Sequence, residues 1–250
     1  MKRTQRLLNS LIACVAVFAM VSSLAAESAD QNVAKVVRLK GDARYKIGNN
    51  DWQPLKLGDL VRPGTVIQTG ARARVDILLG EASAPVIRPV TSEMITYQPM
   101  ADQNMVRLWE NTLMGVDKLT GMKSGADVVT ETQLDLKAGH ITGSVKKMSA
   151  ASKFEVKIPN GVAGIRGTIF DISAEGLVKV LSGSVVLVYV GPGGAQTTQV
   201  IMGSQMFDAR TGTLSPLPNN DKTGMMIQPV MTPGPVPVSA NASLQFISPH

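Results

Sequence analysis

Apolar and polar residues alternate over several short stretches in the central part of the chain. Residues 71–77 and 153–158 place apolar side chains at every second position, with charged residues between most of them. A period of two indicates a strand with one buried face, so both stretches predict strands. Residues 134–137 repeat the alternation over a shorter length. The continuous apolar run at 185–190 predicts a strand that is covered on both faces.

Glycine, proline and asparagine separate these stretches at short intervals. Frequent turns between short strands predict an all-β domain, which we place at residues 33–214. A three-residue turn that ends at Gly176 predicts a tight hairpin with this glycine at positive φ. Gly41, Gly139 and Gly183 each follow one apolar strand and open another, and this weak repeat indicates stacked strand-turn-strand units. The expected architecture is a twisted, β-solenoid-like or wound antiparallel sheet.

Two other stretches lack the period of two. Residues 111–127 contain several glycines and little periodicity, which predicts an excursion from the sheet. From Pro216 onward, prolines are spread among Met, Val, Ser and Asn. Because proline cannot donate to a strand ladder, we expect residues 216–250 to form a Pro-rich tail outside the sheet, extended or disordered.

The N-terminus has the pattern of an export signal. Lys2, Arg3 and Arg6 precede an apolar run that carries no charge up to Leu24. This pattern predicts a signal peptide over residues 1–25, cleaved after Ala25, and a periplasmic or secreted protein. Two alternatives stay open.

In the first alternative, the apolar run is not cleaved and anchors the chain in a membrane. In the second, the stretch that ends in Cys14 acts as a lipobox, and Cys14 carries a lipid. Either one would bring the protein to a membrane.

Composition excludes several classes of function for the processed chain. Cys14 is the only cysteine, so cleavage after Ala25 would remove any disulfide, thiol nucleophile or Cys-based zinc site. The formal net charge of +6 falls by three when the basic residues of the signal are removed. No dense Lys/Arg run is present, and there are only three Tyr, five Phe and two Trp. These features argue against a nucleic-acid partner.

No catalytic, cofactor or metal site is indicated by the residue types. The only histidines are His140 and the terminal His250, and we expect a surface or turn role for His140. The carboxylates are scattered without a spacing that forces two of them together. Gly161, Gly164 and Gly167 resemble a loose phosphate loop, but no helix pattern follows them, so tight turns and close backbone packing are expected instead.

Two segments together resemble the FecR domain family. The first, residues 51–70, contains a Gly-Asp step and a Pro-Gly turn and is followed by an apolar strand. The second, residues 159–172, has the core Ala-Gly-Ile-Arg-Gly-Thr and is followed by a Leu-Ser-Gly-Ser-Val turn. The resemblance covers roughly residues 33–213. Its signature residues, with a structural or partner-contact role, are Gly58, Asp59, Gly64, Thr69, Gly164, Arg166, Gly167, Thr168 and Gly183.

This resemblance implies an all-β sensor domain that lies in the periplasm or outside the cell and acts through protein contacts. FecR-type regulators that restrain sigma factors carry a cytoplasmic domain and a transmembrane helix before this domain, whereas here we expect only the signal peptide. We therefore expect a free-standing binding, sensor or scaffold module whose envelope partner or ligand is unknown. Two alternatives stay open: an envelope hydrolase or carbohydrate-acting protein, and a regulator that acts in trans on a sigma-factor system.

Arg166 is the only charged residue of the second signature core. If the segment is buried, its guanidinium must be paired, because an unpaired buried charge is not tolerated. Asp59, Asp76 and Asp171 are the candidate partners. We expect this arginine to fix the backbone rather than to touch a ligand.

Overall fold

Strands make up almost all of the regular secondary structure in the described residues. The computed structural model describes residues 30–31, 33–80, 103–124, 127–191 and 193–227. The predicted all-β class is confirmed, with one short helix near the end of the described part. The elements are β1 (Asp30–Gln31), β2 (Ala34–Lys40), β3 (Ala43–Ile47), β4 (Gln53–Pro54), β5 (Leu60–Val61), β6 (Thr65–Thr69), β7 (Arg74–Leu79), β8 (Met105–Leu108), β9 (Leu113–Ser124), β10 (Asp127–Ala138), β11 (His140–Val145), β12 (Lys153–Ile158), β13 (Gly161–Ser173), β14 (Leu177–Val190), β15 (Gln196–Met202), β16 (Gln205–Asp208), β17 (Thr213–Pro216) and α1 (Asn219–Gly224).

The strands form two layers of one coiled sheet. The first layer runs β4, β3, β6, β9, β10, β12, β13, β14, β15. The second runs β5, β2, β7, β8, β11, β13, β14, β16, β17. Strands β13 and β14 belong to both layers because each bends partway along its length. Among the pairings within β2 to β17, only the β10–β12 pair is parallel.

The core lies between the two layers. Phe154 in the first layer meets Phe170 in the second edge-on, with ring centroids 6.3 Å apart. Tyr189 and Phe207 form a second edge-on pair across the layers, at 5.3 Å. The strand predicted at 153–158 is β12, and its alternate apolar residues are buried as its period of two predicts.

The chain passes from one layer to the other at sharp corners. The three glycines of the predicted repeat lie at corners, with φ of 74° at Gly41, 77° at Gly139 and 83° at Gly183. Positive φ costs glycine little because it has no Cβ, which explains its use here. Gly176 also has positive φ, in the predicted hairpin between β13 and β14. The repeat read from the sequence therefore corresponds to successive corners of a wound sheet.

Buried threonines join neighbouring corners. The Thr112 backbone N–H donates to Thr69 Oγ1 at 2.9 Å. The Thr112 hydroxyl in turn lies 3.1 Å from the His140 carbonyl and 3.2 Å from the His140 N–H. Both threonines are 2 % exposed or less. These side chains supply hydrogen bonds to backbone groups at the point where the strand ladder is interrupted.

The expected excursion at residues 111–127 is wrong. Strand β9 begins at Leu113 and pairs along the whole of β10. The register shifts between Gln133, which faces Lys118, and Leu134, which faces Val116, so Asp117 has no partner residue. One extra residue of this kind is a β-bulge, and it exchanges the inward and outward positions of the strand. Because of the bulge, the sequence of β9 does not show a continuous period of two.

The run at 185–190 is not covered on both faces, as the sequence had suggested. Val185, Leu187 and Tyr189 are buried, whereas Val186 is 42 % exposed and Val190 is 50 % exposed. The segment is an alternating strand whose outward positions also happen to be apolar.

The boundary expected at Pro216 is wrong for the first residues beyond it. Pro216 itself ends β17, opposite Gln205, and α1 follows. Leu217 is 4 % exposed and Met225 is 3 % exposed, and both pack in a cluster with Ile169 and Leu181. Residues 216–227 thus add a strand end and an apolar contact to the domain.

The expectations for residues 228–250, for the signal peptide at 1–25 and for Cys14 lie outside the described residues. Within the part of the chain that the structure describes, no helix has the length and apolar character needed to cross a membrane.

We expect Met225→Ala to lower the free energy of unfolding by about 2 to 5 kcal/mol, because it removes a buried side chain from the cluster beside α1. Met226, the next residue, is 44 % exposed. We therefore expect Met226→Ala to change the free energy by less than about 0.5 kcal/mol. Chemical denaturation of the two variants measures the difference. Equal values for both would contradict the packing of this segment on the sheet.

Candidate functional site

The second signature segment builds a corner between the two layers. Gly167 has φ of 64° and interrupts β13 by a bulge, and Thr168 follows it with no exposed surface. The Thr168 hydroxyl donates to the Ser184 carbonyl at 2.8 Å and accepts from the Ser184 N–H at 3.2 Å. Gly183 lies against the same corner, where an added Cβ would be 2.2 Å from the Gly167 carbonyl oxygen. These residues fix the bend shared by β13 and β14.

The first signature segment serves the same purpose elsewhere in the sheet. Thr69 is the corner threonine bonded to Thr112. Gly58 and Gly64 have φ of 89° and 85°, and their N–H groups donate to carbonyls on other strands, Val36 at 2.8 Å and Val116 at 2.7 Å. The Asp59 carboxylate accepts from the Lys56 N–H at 2.8 Å and closes a local turn.

The two segments are not brought together into one site. Strand β6, which ends at Thr69, pairs with β3 and β9. The corner at Thr168 lies on β13, beyond β10 and β12 in the first layer. The structure therefore gives most signature residues a backbone role, and it distributes that role over the sheet.

Gly164 and Arg166 are exceptions to this backbone role. Both lie on the outward side of β13, where Gly164 faces Val186 and Arg166 faces Ser184. A Cβ added at Gly164 would come no closer than 3.7 Å to another atom, so the space there does not require glycine. Arg166 is exposed.

The ion pair expected for Arg166 is not formed with any of its candidate partners. In the described structure, Asp59 accepts from the Lys56 backbone and Asp171 accepts from Thr142, while Asp76 pairs with other arginines. The pairing was conditional on a buried segment, and this condition is not met at Arg166, because alternate residues of this strand face the solvent.

Gly164 lies within an exposed apolar surface, and Arg166 lies at one end of it. We call this surface the valine face. It comprises the outward side chains of β13, β14 and β15. Cross-strand pairing aligns Val162 with Val188, and Val186 with Val200. Exposure of the side chains runs from 37 % at Val162 to 53 % at Met202, except at Val188, which is half-buried. The face consists of Val162, Val186, Val188, Val190, Val200 and Met202, with Gly164 among them and Arg166 at one end.

Charged residues of β12 border one side of the valine face. Outward positions of β12 carry Glu155, opposite Gly164, and Lys157, opposite Val162. On the other side, β15 is the last strand of its layer, and within the described chain only β14 pairs along its length. The apolar surface thus extends to an open sheet edge. The sequence does not reveal this surface, because the continuous apolar run at 185–190 predicts a strand that is covered on both faces.

A buried ion cluster lies on the outer side of the second layer. The Asp76 carboxylate has no exposed surface, and it accepts from Arg107 Nε at 2.7 Å and Arg107 Nη2 at 2.8 Å. Arg38 Nη1 adds a third contact at 3.1 Å. Burial acts to raise the pKa of Asp76, but hydrogen bonds and charge from the two arginines outweigh it and lower the pKa. Three strands, β2, β7 and β8, are joined here.

A polar chain continues across the same side. Trp109 Nε1 donates to Thr142 Oγ1 at 2.7 Å, and the Thr142 hydroxyl donates to Asp171 Oδ2 at 2.7 Å. His140 stacks on Trp109 with ring centroids 5.4 Å apart, at the start of β11. Burial raises the pKa of Asp171, against the opposing effect of the Thr142 hydroxyl. No group of three metal-ligating side chains occurs among the residues that the structure describes.

Gly183→Ala should destabilise the domain by about 2 to 4 kcal/mol, because the new methyl group collides with the Gly167 carbonyl and the backbone is at positive φ. Gly193 is the matched control, since a Cβ there meets nothing within 4 Å. We expect Gly193→Ala to be neutral within about 0.5 kcal/mol. Thermal and urea unfolding of both variants would measure the change. A neutral Gly183→Ala would contradict the steric role of this corner.

Asp76→Asn should cost about 3 to 5 kcal/mol near pH 7, because it leaves the buried Arg107 without its anion. The folded-state pKa of Asp76 is lowered, so its contribution is present above the unfolded pKa of about 3.9 and is lost as the pH falls through the folded value. The stability gap between the parent and Asp76→Asn should therefore narrow below about pH 4.

Asp117→Asn is the control for the Asp76 substitution, because Asp117 pairs with Lys157 through exposed side chains. We expect no measurable effect of Asp117→Asn. Urea denaturation from pH 7 down to pH 3 measures all three proteins. A gap for Asp76→Asn that does not change with pH would contradict the lowered pKa of this carboxyl.

Comparison with known proteins finds a family model and a solved structure that are similar to parts of this chain. Nothing matches among curated proteins. A crystal structure described as a candidate anti-sigma factor from Parabacteroides distasonis is similar, with a TM-score of 0.33 and 13 % sequence identity, over 57 % of this chain and 58 % of that chain. The family model described as FecR protein matches residues 90–186, which include the second signature segment but not the first. The resemblance to the FecR family is thus confirmed over residues 90–186.

Proposed function

We propose that this protein is an exported, non-catalytic FecR-type module that acts by binding another protein in the bacterial envelope, as a sensor or scaffold. The observation that carries the proposal is the valine face on β13, β14 and β15. Contiguous apolar patches on a protein surface commonly mark interaction sites. Two of its exposed side chains, Val162 and Val186, lie within the part of the chain that matches the FecR family.

The layout of the valine face suits a protein partner. Valine side chains on paired strands are held rigidly by the sheet, so little conformational entropy is lost when a partner covers them. Burying apolar surface contributes roughly 25 cal/mol per Å². Arg166 lies at the end of the face and supplies a polar rim, and Gly164 leaves a flat position at which a partner's backbone can approach.

A more specific version of the proposal concerns signalling. The family match suggests a partner in a sigma-factor regulatory system, on which this module would act in trans. The binding role of the valine face does not depend on export, on a lack of catalysis or on this class of partner.

We expect Val186→Lys to weaken binding of the envelope partner by at least about tenfold, because it places a charge at the centre of the valine face. Arg166→Glu should also weaken binding. Both side chains are exposed, so the free energy of unfolding should change by less than about 0.5 kcal/mol. Val128→Lys, on β10 at 54 % exposure, is the control outside the face and should bind as the parent does.

The measurement is affinity capture from an envelope extract, followed by titration of the purified partner against each variant. Retained binding by Val186→Lys would contradict the role of the valine face. Equal loss in Val128→Lys would contradict it too, because the effect would then not depend on position.

A further inference from the structure

The edge strand β15 can extend the sheet into a second molecule. We infer that the partner at this edge is a second copy of the chain, and that the two β15 strands pair antiparallel to form a symmetric dimer. The inference rests on the proposed role of the valine face in protein binding. The second copy would occupy the edge of β15, at which the valine face ends.

Strand β15 differs from the other described edge strands. Its seven residues, Gln196–Met202, contain no charge and no proline. At the other end of the first layer, β4 has only two residues and contains Pro54, and Arg44 and Lys46 lie over the adjacent Trp52 ring at 4.7 and 5.3 Å.

The edges of the second layer are also short. Strand β5 has two residues, and β17 has four and ends in a proline. Short strands, prolines and cations are the usual protection of a sheet edge against pairing with another chain. Among the described edges, only β15 is both long and free of these features.

The free side of β15 presents backbone groups in the direction of a new strand. The Met202 N–H donates to Gln205 Oε1 at 2.9 Å, and the Val200 carbonyl accepts from Gln199 Nε2 at 2.8 Å. Since these groups bond side chains and not β14, the even-numbered residues of β15 direct their backbone groups to the open edge. The same alternation puts the Thr198 N–H and carbonyl on that edge. Both glutamine side chains are half-buried, and a pairing strand would replace their two hydrogen bonds with backbone hydrogen bonds.

The sequence of β15 is compatible with antiparallel pairing to the same strand of a second copy. In a two-fold pair centred on Gln199, Thr198 of one copy faces Val200 of the other, and Gln196 faces Met202. A charged strand would place like charges close together across such an axis, whereas this strand has none. The pairing also joins the two valine faces into one continuous apolar surface on the same side of the sheet. A symmetric contact of this kind is the commonest arrangement in protein dimers.

The first test measures the mass of the purified chain, as the cell processes it, by sedimentation at concentrations up to about 100 µM, which reveals dimers with micromolar Kd. We expect a dimer. Thr198→Pro removes an N–H on the open edge and should raise the dimer Kd at least about tenfold, and Val200→Lys should act in the same direction. Ile47→Lys, 44 % exposed on β3, is the control and should dimerise as the parent does.

A second test fixes the register. In a Cys14→Ser background, Gln199→Cys should form a disulfide-linked dimer under mild oxidation, because the two residues meet at the axis. Leu57→Cys, 66 % exposed and far along the chain, should not. Crosslinking at both positions, or at neither, would overturn the proposed axis.

A monomer at every concentration, or a dimer unaffected by Thr198→Pro, would overturn the inference. Dimerisation that appears only after deletion of residues 228–250 would overturn it as well, since the chain's own end would then occupy the edge. In any of these cases, binding of an envelope protein that Val186→Lys abolishes would still stand, so failure of the dimer and failure of the proposed function are distinguishable.

Discussion

The fold depends on corners at which no side chain can be accommodated. At Gly183 an added Cβ would lie 2.2 Å from the Gly167 carbonyl, and at Gly139 it would lie 2.4 Å from Thr112 Oγ1. Strand hydrogen bonding is interrupted at these corners, and the buried hydroxyls of Thr69 and Thr168 bond backbone groups of Thr112 and Ser184 on neighbouring strands. Without these two features the chain could not pass between layers, and the two apolar faces could not close on each other.

The same corners determine which surface the protein presents. Because β13 and β14 bend at Gly167 and Gly183, their first-layer halves expose every second residue on the outer side. Those residues include Gly164 and Arg166 of the family signature and the valines beside them. One signature motif thus contains both the residues that shape the bend and the residues that border a surface a partner could cover.

Structural features that depend on a local sequence pattern were predicted correctly. The period of two at 153–158 and the glycines of the repeat are local, and both predictions are confirmed. Strand β9 was missed because the bulge at Asp117 breaks the period, and the Asp76–Arg107 pair was missed because its residues are 31 positions apart. The prediction for the valine run was wrong because sequence does not reveal which side of a strand is exposed. The packing of Met225 likewise depends on tertiary contacts.

Amide hydrogen exchange followed by NMR tests the central role of the corners most directly. The Ser184 and Thr112 N–H groups are bonded to buried threonine hydroxyls, so they should exchange only through global unfolding, as slowly as the central strands. In dilute, monomeric protein the Thr198 N–H should exchange far faster, because it lies on the open edge of β15. Rapid exchange at Ser184 and Thr112, comparable with that of Thr198, would contradict a fold held at its corners.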